Sequence, residues 1–444
     1  MSTSNSWWSD LSVRIDNCEW ILTQSPSREV RRNQSIFIDD GRIVEISDKI
    51  TCEADHVLDG RRKVALPGLV NTHTHLSMTL LRGYADDMPL KEWLSTKIWP
   101  IERKLTGDLC YAGGLLGCLE MIKTGTTCFL DMYFFVEDVA KAVHKAGLRA
   151  FLSHAIIDQF VSDNAKGLAE MADDTIRALK ALGNPKINFA VAPHSPYTCS
   201  SETLLKAKEV ALKEKAPLHT HMAETRAEQV KFENKHGMRE TEYMDKIGFL
   251  CENLVSAHCV WLTRSEVDIL GKRHVKVSHC PVSNMKLAEG GVAPLPEMFE
   301  SNVTVGLGTD GAACNNSLDM FDTMKICALI HKAHRWDPTV LPAQKVLDLA
   351  TIEGARVLGV SDSIGSIEEG KLADLILVDL RSPNLSPIHG KGTIISDMVY
   401  SAKGSDVDTT IVEGRPIMVE KRFISLSENE VYRSAEEAAS AILR

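Results

Sequence analysis

Short runs in which apolar and polar residues alternate open the chain: Leu11-Ser-Val-Arg-Ile15, Ser35-Ile-Phe-Ile38 and, after Asp39-Asp40-Gly41, Arg42-Ile-Val-Glu-Ile46. Alternation with period two predicts half-buried strands, and Asp-Gly between two such runs predicts a hairpin. The same texture returns late, in Ala373-Asp-Leu-Ile-Leu-Val-Asp379 and Thr409-Thr-Ile-Val-Glu-Gly-Arg-Pro-Ile-Met418. Together these stretches predict a small β-sandwich domain built from both ends of the chain, residues 1–65 and 366–444.

Between them, over residues 66–365, the pattern changes. Apolar β-rich runs cover Leu69 to His75, Thr126 to Met132, Arg149 to Ala155, Ile187 to Pro196, Ala216 to Glu224, Leu254 to Val260, Val275 to Pro281 and Thr304 to Gly311. The intervening stretches, such as Val136 to Ala146, Leu168 to Leu182, Glu202 to Lys215 and Ser265 to Arg273, space their apolar residues as helices do. Eight β-then-α units predict an α/β fold of the (β/α)8 TIM-barrel type, with its active site at the C-terminal ends of the strands. The longest connection follows the first run, and its part from Asp86 to Glu102 is the expected pocket wall or lid.

Composition narrows the partners. The 444 residues are 44% hydrophobic and 25% charged, with a net charge of −10 and no block of five or more like charges. This disfavours nucleic acid or an anionic membrane as partner. Residues 1–10, polar with Trp7-Trp8, lack the order of a secretory signal, and no uncharged apolar run approaches a membrane span. Eleven cysteines without a CxxC pair point to a reducing cytoplasm. They also exclude the Pro-Cys-x-x-Cys zinc signature of one class of base deaminase.

The eight runs end in His73/His75, Asp131, His154, His194, His219/His221, His258, His279 and Asp310. His73 and His75, two apart on a strand, leave the same face and supply half a metal site. The fifth run offers His219 and His221. His221 is preferred, because Glu224 three residues on could serve a bound water as acid/base, with His219 in a supporting place. Asp310 is the fourth candidate ligand. A metal held there lowers the pKa of its water from about 15.7 toward about 7. Deamination of an amino-heteroaromatic ring would then use Glu224 to protonate the ring nitrogen. His258 would orient the hydroxide, and Asp310 would accept the water proton.

These residues stand in Leu66-Pro-Gly-Leu-Val-Asn-Thr-His-Thr-His75, His194-Ser-Pro-Tyr197, His221-Met-Ala-Glu-Thr225, Ala257-His-Cys259, Ser278-His-Cys-Pro-Val-Ser-Asn284 and Gly308-Thr-Asp-Gly-Ala312. In this set the chain resembles the amidohydrolase superfamily, and within it the adenosine-type deaminases acting on 5′-methylthioadenosine and S-adenosylhomocysteine. The resemblance implies metal ligation by His73, His75, His221 and Asp310, with Glu224 and His258 catalytic. It further implies that Glu102 binds the ribose hydroxyls and His194 the purine ring. Trp93 either walls the same pocket or packs as a plain core residue. Binuclear members carry a lysine at the end of strand four; here that run ends in Ala192-Pro-His194, so one divalent metal per subunit is expected, zinc or else iron. Members that take S-adenosylhomocysteine place an arginine near the end of strand three, where this chain has His154. The expected reaction is deamination of the 6-amino group of 5′-methylthioadenosine, ahead of adenosine or S-adenosylhomocysteine, by a homo-oligomer.

Three other readings compete. Gly306-Leu-Gly-Thr-Asp-Gly311 fits a dinucleotide-binding GxGxxG, although helical patterns follow it where that fold needs a strand. Hydroxide chemistry would equally serve guanine or melamine deamination or triazine dechlorination. A structural metal protein is the non-enzymatic alternative, and a closed coordination sphere would mark it.

Overall fold

The computed structural model describes residues 12–158 and 165–444; Trp7 and Trp8 lie outside the described residues. Strands β1 (Val13–Leu22), β2 (Val30–Asp39), β3 (Arg42–Ser47), β4 (His56–Asp59) and β5 (Lys63–Pro67) come from the start of the chain. The barrel strands are β6 (Leu69–Thr74), β7 (Thr126–Tyr133), β8 (Arg149–Ile156), β9 (Ile187–Phe189), β10 (Ala192–Pro193), β11 (Leu218–Met222), β12 (Leu254–His258), β13 (Lys276–His279) and β14 (Val305–Leu307). Four more follow them: β15 (Leu375–Asp379), β16 (Val407–Val412), β17 (Arg415–Val419) and β18 (Arg422–Phe423).

The strands of both chain ends join one nine-stranded sheet in the order β18-β17-β16-β15-β5-β1-β2-β3, with β4 beside β1. Asp40 and Gly41 at the β2–β3 turn have φ of 45° and 71°, the left-handed pair that a two-residue hairpin requires. Glu413 and Gly414 repeat it between β16 and β17 with φ of 50° and 72°. The two turns meet, and a Cβ on Gly414 would lie 2.7 Å from the Gly41 Cα. The sheet therefore curls until its β3 side reaches β16. Val13, Ile15, Ile36, Ile38 and Ile43 share an apolar cluster with Leu375, Leu377 and Ile411.

Strands β6, β7, β8 and β10 pair in parallel with β9 on β8, and β11 to β14 form a second parallel set. Two seams close them into a barrel. At one, the His219 N–H donates to Val191 O at 2.8 Å and the His221 N–H to His194 O at 2.9 Å. At the other, the Asp310 N–H donates to His73 O at 3.0 Å and Thr72 Oγ1 to Leu307 O at 3.0 Å. The expected fourth run is two short strands, because Ala190 N–H still bonds Leu152 of β8 while Val191 N–H turns to Pro217 beside β11. Helices fill the outside as the apolar spacing predicts, at Val136–Ala146, Ala165–Leu182, Ser201–Glu214 and Arg264–Lys272. After β14 come the helices Ala312–Asn315, Met320–Arg335, Ala343–Ala350 and Ile352–Val357, and the next strand, β15, joins the other sheet. This topology does not meet the dinucleotide reading of Gly306 to Gly311.

The outer sheet runs straight into the barrel. β5, hydrogen-bonded to β1 on one side and β15 on the other, continues through Pro67-Gly68 into β6. A Cβ on Gly68 would lie 2.1 Å from Thr127 Oγ1, so only glycine fits that corner. A buried ion pair, Arg149 Nε to Asp374 at 2.9 Å, ties barrel to sheet, and another, Lys63 Nζ to Asp408 at 2.6 Å, reaches across β15 within the sheet. The last helix, Glu428–Leu443, packs Ala435 and Ala438 against Leu80 and Ala112 of the barrel. Among the described residues no single helix is long and apolar enough to cross a membrane.

Candidate active site

His73 is the penultimate residue of β6, and His75 lies just beyond the strand as the cap of the helical turn Leu76–Leu81. His221 ends β11 beside Met222, His258 closes β12, and Asp310 lies three residues beyond β14. The barrel brings all five together. Asp310 Oδ1 lies 3.5 Å from His73 Nε2 and 3.3 Å from His75 Nε2, and His75 Nε2 lies 3.4 Å from His221 Nε2. Ala223, His258 and Asp310 hold left-handed backbone conformations with φ of 53°, 71° and 62°. Such conformations in non-glycine residues cluster where a site dictates the backbone.

The tautomers follow from the hydrogen bonds. His75 Nδ1 faces the Met132 carbonyl at 2.6 Å and His221 Nδ1 the His194 carbonyl at 2.7 Å. Carbonyls only accept, so both Nδ1 atoms carry the proton and both Nε2 atoms a lone pair. His219 Nδ1 donates to Val255 O at 2.8 Å, which makes its Nε2 the acceptor of His73 Nδ1–H at 2.8 Å. His73 Nε2 is then also a lone pair, and it is buried without a hydrogen-bond partner. Three lone pairs and a carboxylate thus converge on one point, an arrangement that repels itself unless a cation lies between. A four-coordinate zinc with bonds of about 2.0–2.1 Å needs ligand spacings close to those found here. Burial pushes the His75 imidazole down to about 4 and His221 well below its ordinary range, keeping both neutral as ligands must be. Burial acts to raise Asp310, but its contacts with His73, His75 and His258 outweigh that and hold the carboxylate ionised.

Glu224 follows β11 and is buried, with Oε1 3.6 Å from His258 Nε2. Burial and then neighbouring Glu289 hold its carboxyl well above the usual range. His258 Nδ1 accepts from Asn284 Nδ2 at 2.9 Å, so its proton sits on Nε2, toward Glu224. Asn284 stands in a motif quoted above without a role. Glu289 lies on the turn after it, where no residue pattern sets it apart from a surface glutamate. Of the remaining strand-end residues, Asp131 accepts the Leu76 N–H at 2.7 Å and shapes the turn after His75, while His279 pairs with His331 at 3.2 Å.

A cavity opens above this cluster, walled by the connection that follows β6. Leu90, Trp93, Leu94, Ile98, Trp99 and Glu102 line one side. Met132, Tyr133, Phe134, Ala155, Ile157, His194 and Tyr197 line the other, and among the described residues no lysine or arginine does. Trp93 is buried and faces the cavity. Glu102 accepts from Tyr133 Oη at 3.0 Å, and burial, opposed by that bond, raises its carboxyl to about 7. His194 holds its Nδ1 against Thr198 Oγ1 at 3.0 Å and Ser195 Oγ at 3.2 Å. His154 does not line the cavity; it packs edge-on to Phe134, whose ring does.

Comparison with known proteins follows the same lines. The Amidohydrolase family pattern matches residues 64–417. A 5′-deoxyadenosine deaminase of Methanothermobacter thermautotrophicus is 47% identical over 414 residues, covering 93% of this chain and 95% of that protein. A 5-methylthioadenosine/S-adenosylhomocysteine deaminase of Thermococcus sibiricus is 46% identical over 387 residues, covering 86% and 89%. Among solved structures, the zinc-bound adenosine deaminase of Xanthomonas campestris superposes with a TM-score of 0.91 at 32% identity, covering 98% of each chain.

Proposed function

The chain belongs to the amidohydrolase family and is a hydrolase of carbon–nitrogen bonds; from that premise we propose that it deaminates the 6-position of a purine nucleoside with a small, uncharged 5′ group. The observation that carries the proposal is the convergence of three imidazole Nε2 lone pairs and Asp310 beside Glu224, under a cavity lined by Glu102 but by no cation. His73, His75, His221 and Asp310 would hold one divalent cation, zinc in preference to iron. When bound, the cation supplies Lewis-acid chemistry that makes water a competent nucleophile near neutral pH.

The chain's own groups do the rest. As water adds to C6, Glu224 relays one of its protons to the adjacent ring nitrogen, a task suited to a carboxyl whose burial makes both protonation states accessible. His258 Nε2–H donates to the oxygen that develops charge on C6. Asp310 passes the second water proton to the amino group, which leaves as ammonia while C6 becomes a carbonyl. His194 would contact the purine ring and Trp93 would wall it. Glu102, braced by Tyr133, would accept from both ribose hydroxyls.

The inner cavity offers no lysine or arginine to a homocysteine carboxylate; Lys91, Arg226 and Lys231 line a second pocket that shares Leu90, Leu94, Trp99, Tyr197 and Leu287 with it. We place 5′-deoxyadenosine and 5′-methylthioadenosine ahead of S-adenosylhomocysteine, whose longer charged tail would have to reach that second pocket; one relative's name gives 5′-deoxyadenosine and another's gives both 5-methylthioadenosine and S-adenosylhomocysteine. Guanine deamination or triazine hydrolysis is the second reading, since the hydroxide chemistry is shared and Glu102 is what favours a ribosylated ring. Ammonia or chloride release from 5′-deoxyadenosine, 5′-methylthioadenosine, adenosine, S-adenosylhomocysteine, guanine and a chlorotriazine tests this. The two 5′-deoxy nucleosides should give the highest kcat/KM; a higher value for guanine or the triazine would refute the nucleoside assignment.

A further inference from the structure

Glu289 and Asn284 come from one segment, the helix Pro281–Lys286 and the turn after it, and the steps above use neither. Both side chains are about as buried as the core, at 5% exposure each. Asn284 Nδ2 spends its two protons on Glu289 Oε2 and on His258 Nδ1. Glu289, Glu224 and His258 each bring a polar side-chain atom within 4.8 Å of the other two. Two carboxyl groups this close in a buried site resist ionising together, which favours one proton between them. Asn284 already donates to Oε2 of Glu289, while Oε1 is buried without a hydrogen-bond partner and is the atom left to meet Glu224.

We propose that Glu289 is a positioning residue: its protonated carboxyl donates to the Glu224 carboxylate, while its other oxygen orients Asn284, whose amide fixes His258 as the Nε2–H tautomer. One side chain thereby sets both groups that act on C6 and the ring nitrogen. This rests on the roles given above to Glu224 and His258.

The arrangement separates two substitutions of nearly equal volume. In Glu289→Gln the amide N–H still donates to Glu224 and the amide oxygen still accepts from Asn284. In Glu289→Leu both bonds are lost, Glu224 is freed to swing, and Asn284 no longer holds the His258 ring. Leucine also removes one member of a costly buried carboxyl pair, so it should leave the fold as stable as before or more so.

With 5′-methylthioadenosine as substrate and zinc-loaded enzyme, Glu289→Leu should lower kcat about 100-fold with KM within about threefold, as expected when reacting groups are misplaced. Its thermal midpoint and zinc content should match the wild type. Glu289→Gln should recover kcat to within about tenfold of wild type. A leucine variant with wild-type kcat, or a glutamine variant as slow as the leucine one, overturns the proposal. So does a leucine variant slowed only because it unfolds at lower temperature; if Glu289→Leu yields no folded protein, Glu289→Met is held to the same criteria. Glu224→Gln, run beside them, isolates the underlying reading: if it stays active the acid/base role of Glu224 falls, whereas collapse there with an unaffected Glu289→Leu removes only the positioning role.

Discussion

Replacing His219 by leucine tests the relay that prepares His73. His219 takes the His73 Nδ1 proton on one nitrogen at 2.8 Å and gives its own to the Val255 carbonyl at 2.8 Å. Leucine fills the space and can do neither. With a cation on Nε2, His73 must then keep a buried Nδ1–H that meets no acceptor, at a cost of about 1–3 kcal/mol. In the metal-free protein His73 escapes that cost by moving its proton to Nε2. The penalty therefore falls mainly on the loaded state. At 1.4 kcal/mol per factor of ten, the zinc dissociation constant should rise roughly 5- to 150-fold. The assay is zinc occupancy of the stripped protein across a series of chelator-buffered zinc concentrations, with kcat measured separately at saturating zinc. The kcat should fall much less than the affinity. An unchanged dissociation constant would refute the tautomer argument, and with it the assignment of His73 Nε2 as a prepared ligand atom.

Three further outcomes follow from the geometry. Glu224→Gln should keep its zinc by elemental analysis while kcat falls about 100- to 10,000-fold, the usual worth of a positioned proton donor; loss of zinc would make Glu224 a ligand instead. Burial raises Glu102 to about 7, above its unfolded value, so the carboxylate is protonated as pH drops below that point and loses an acceptor for the diol. The KM for a nucleoside should then rise by up to about tenfold per pH unit below 7, and Glu102→Gln should abolish that dependence; a flat wild-type KM from about pH 5.5 to 8 would contradict it. Asp374→Ala leaves Arg149 buried without its partner and should cost about 3–5 kcal/mol in denaturant unfolding, whereas a loss under about 1 kcal/mol would mean water reaches the guanidinium.

The barrel is legible because parallel strands buried on both faces leave continuous apolar runs, and each of the eight expected runs contains a barrel strand. Run four shows the limit. Its division between β9 and β10 is a change of backbone partner at Ala190 and Val191, which side chains do not record. Spacing places both His219 and His221 on the inner face of β11. What separates the two is where each Nε2 points, that of His221 toward His75 Nε2 at 3.4 Å and that of His219 onto His73 Nδ1 at 2.8 Å, and this appears only in three dimensions. His154 ends its strand as expected, yet its ring turns behind Phe134. Glu289 was illegible for a related reason: only the tertiary approach of its turn to Glu224 distinguishes it from a solvated glutamate.

The unbroken passage from β5 into β6 bears on how the chain is made. On the ribosome β1 is available to pair with β5 early, but β15, its other neighbour, emerges only after every barrel strand has been synthesised. The nascent barrel is thus tethered to a half-finished sheet with a bare edge. Chains released before β15 should aggregate rather than yield a smaller working enzyme, and a holdase covering that edge would raise the yield of intact protein.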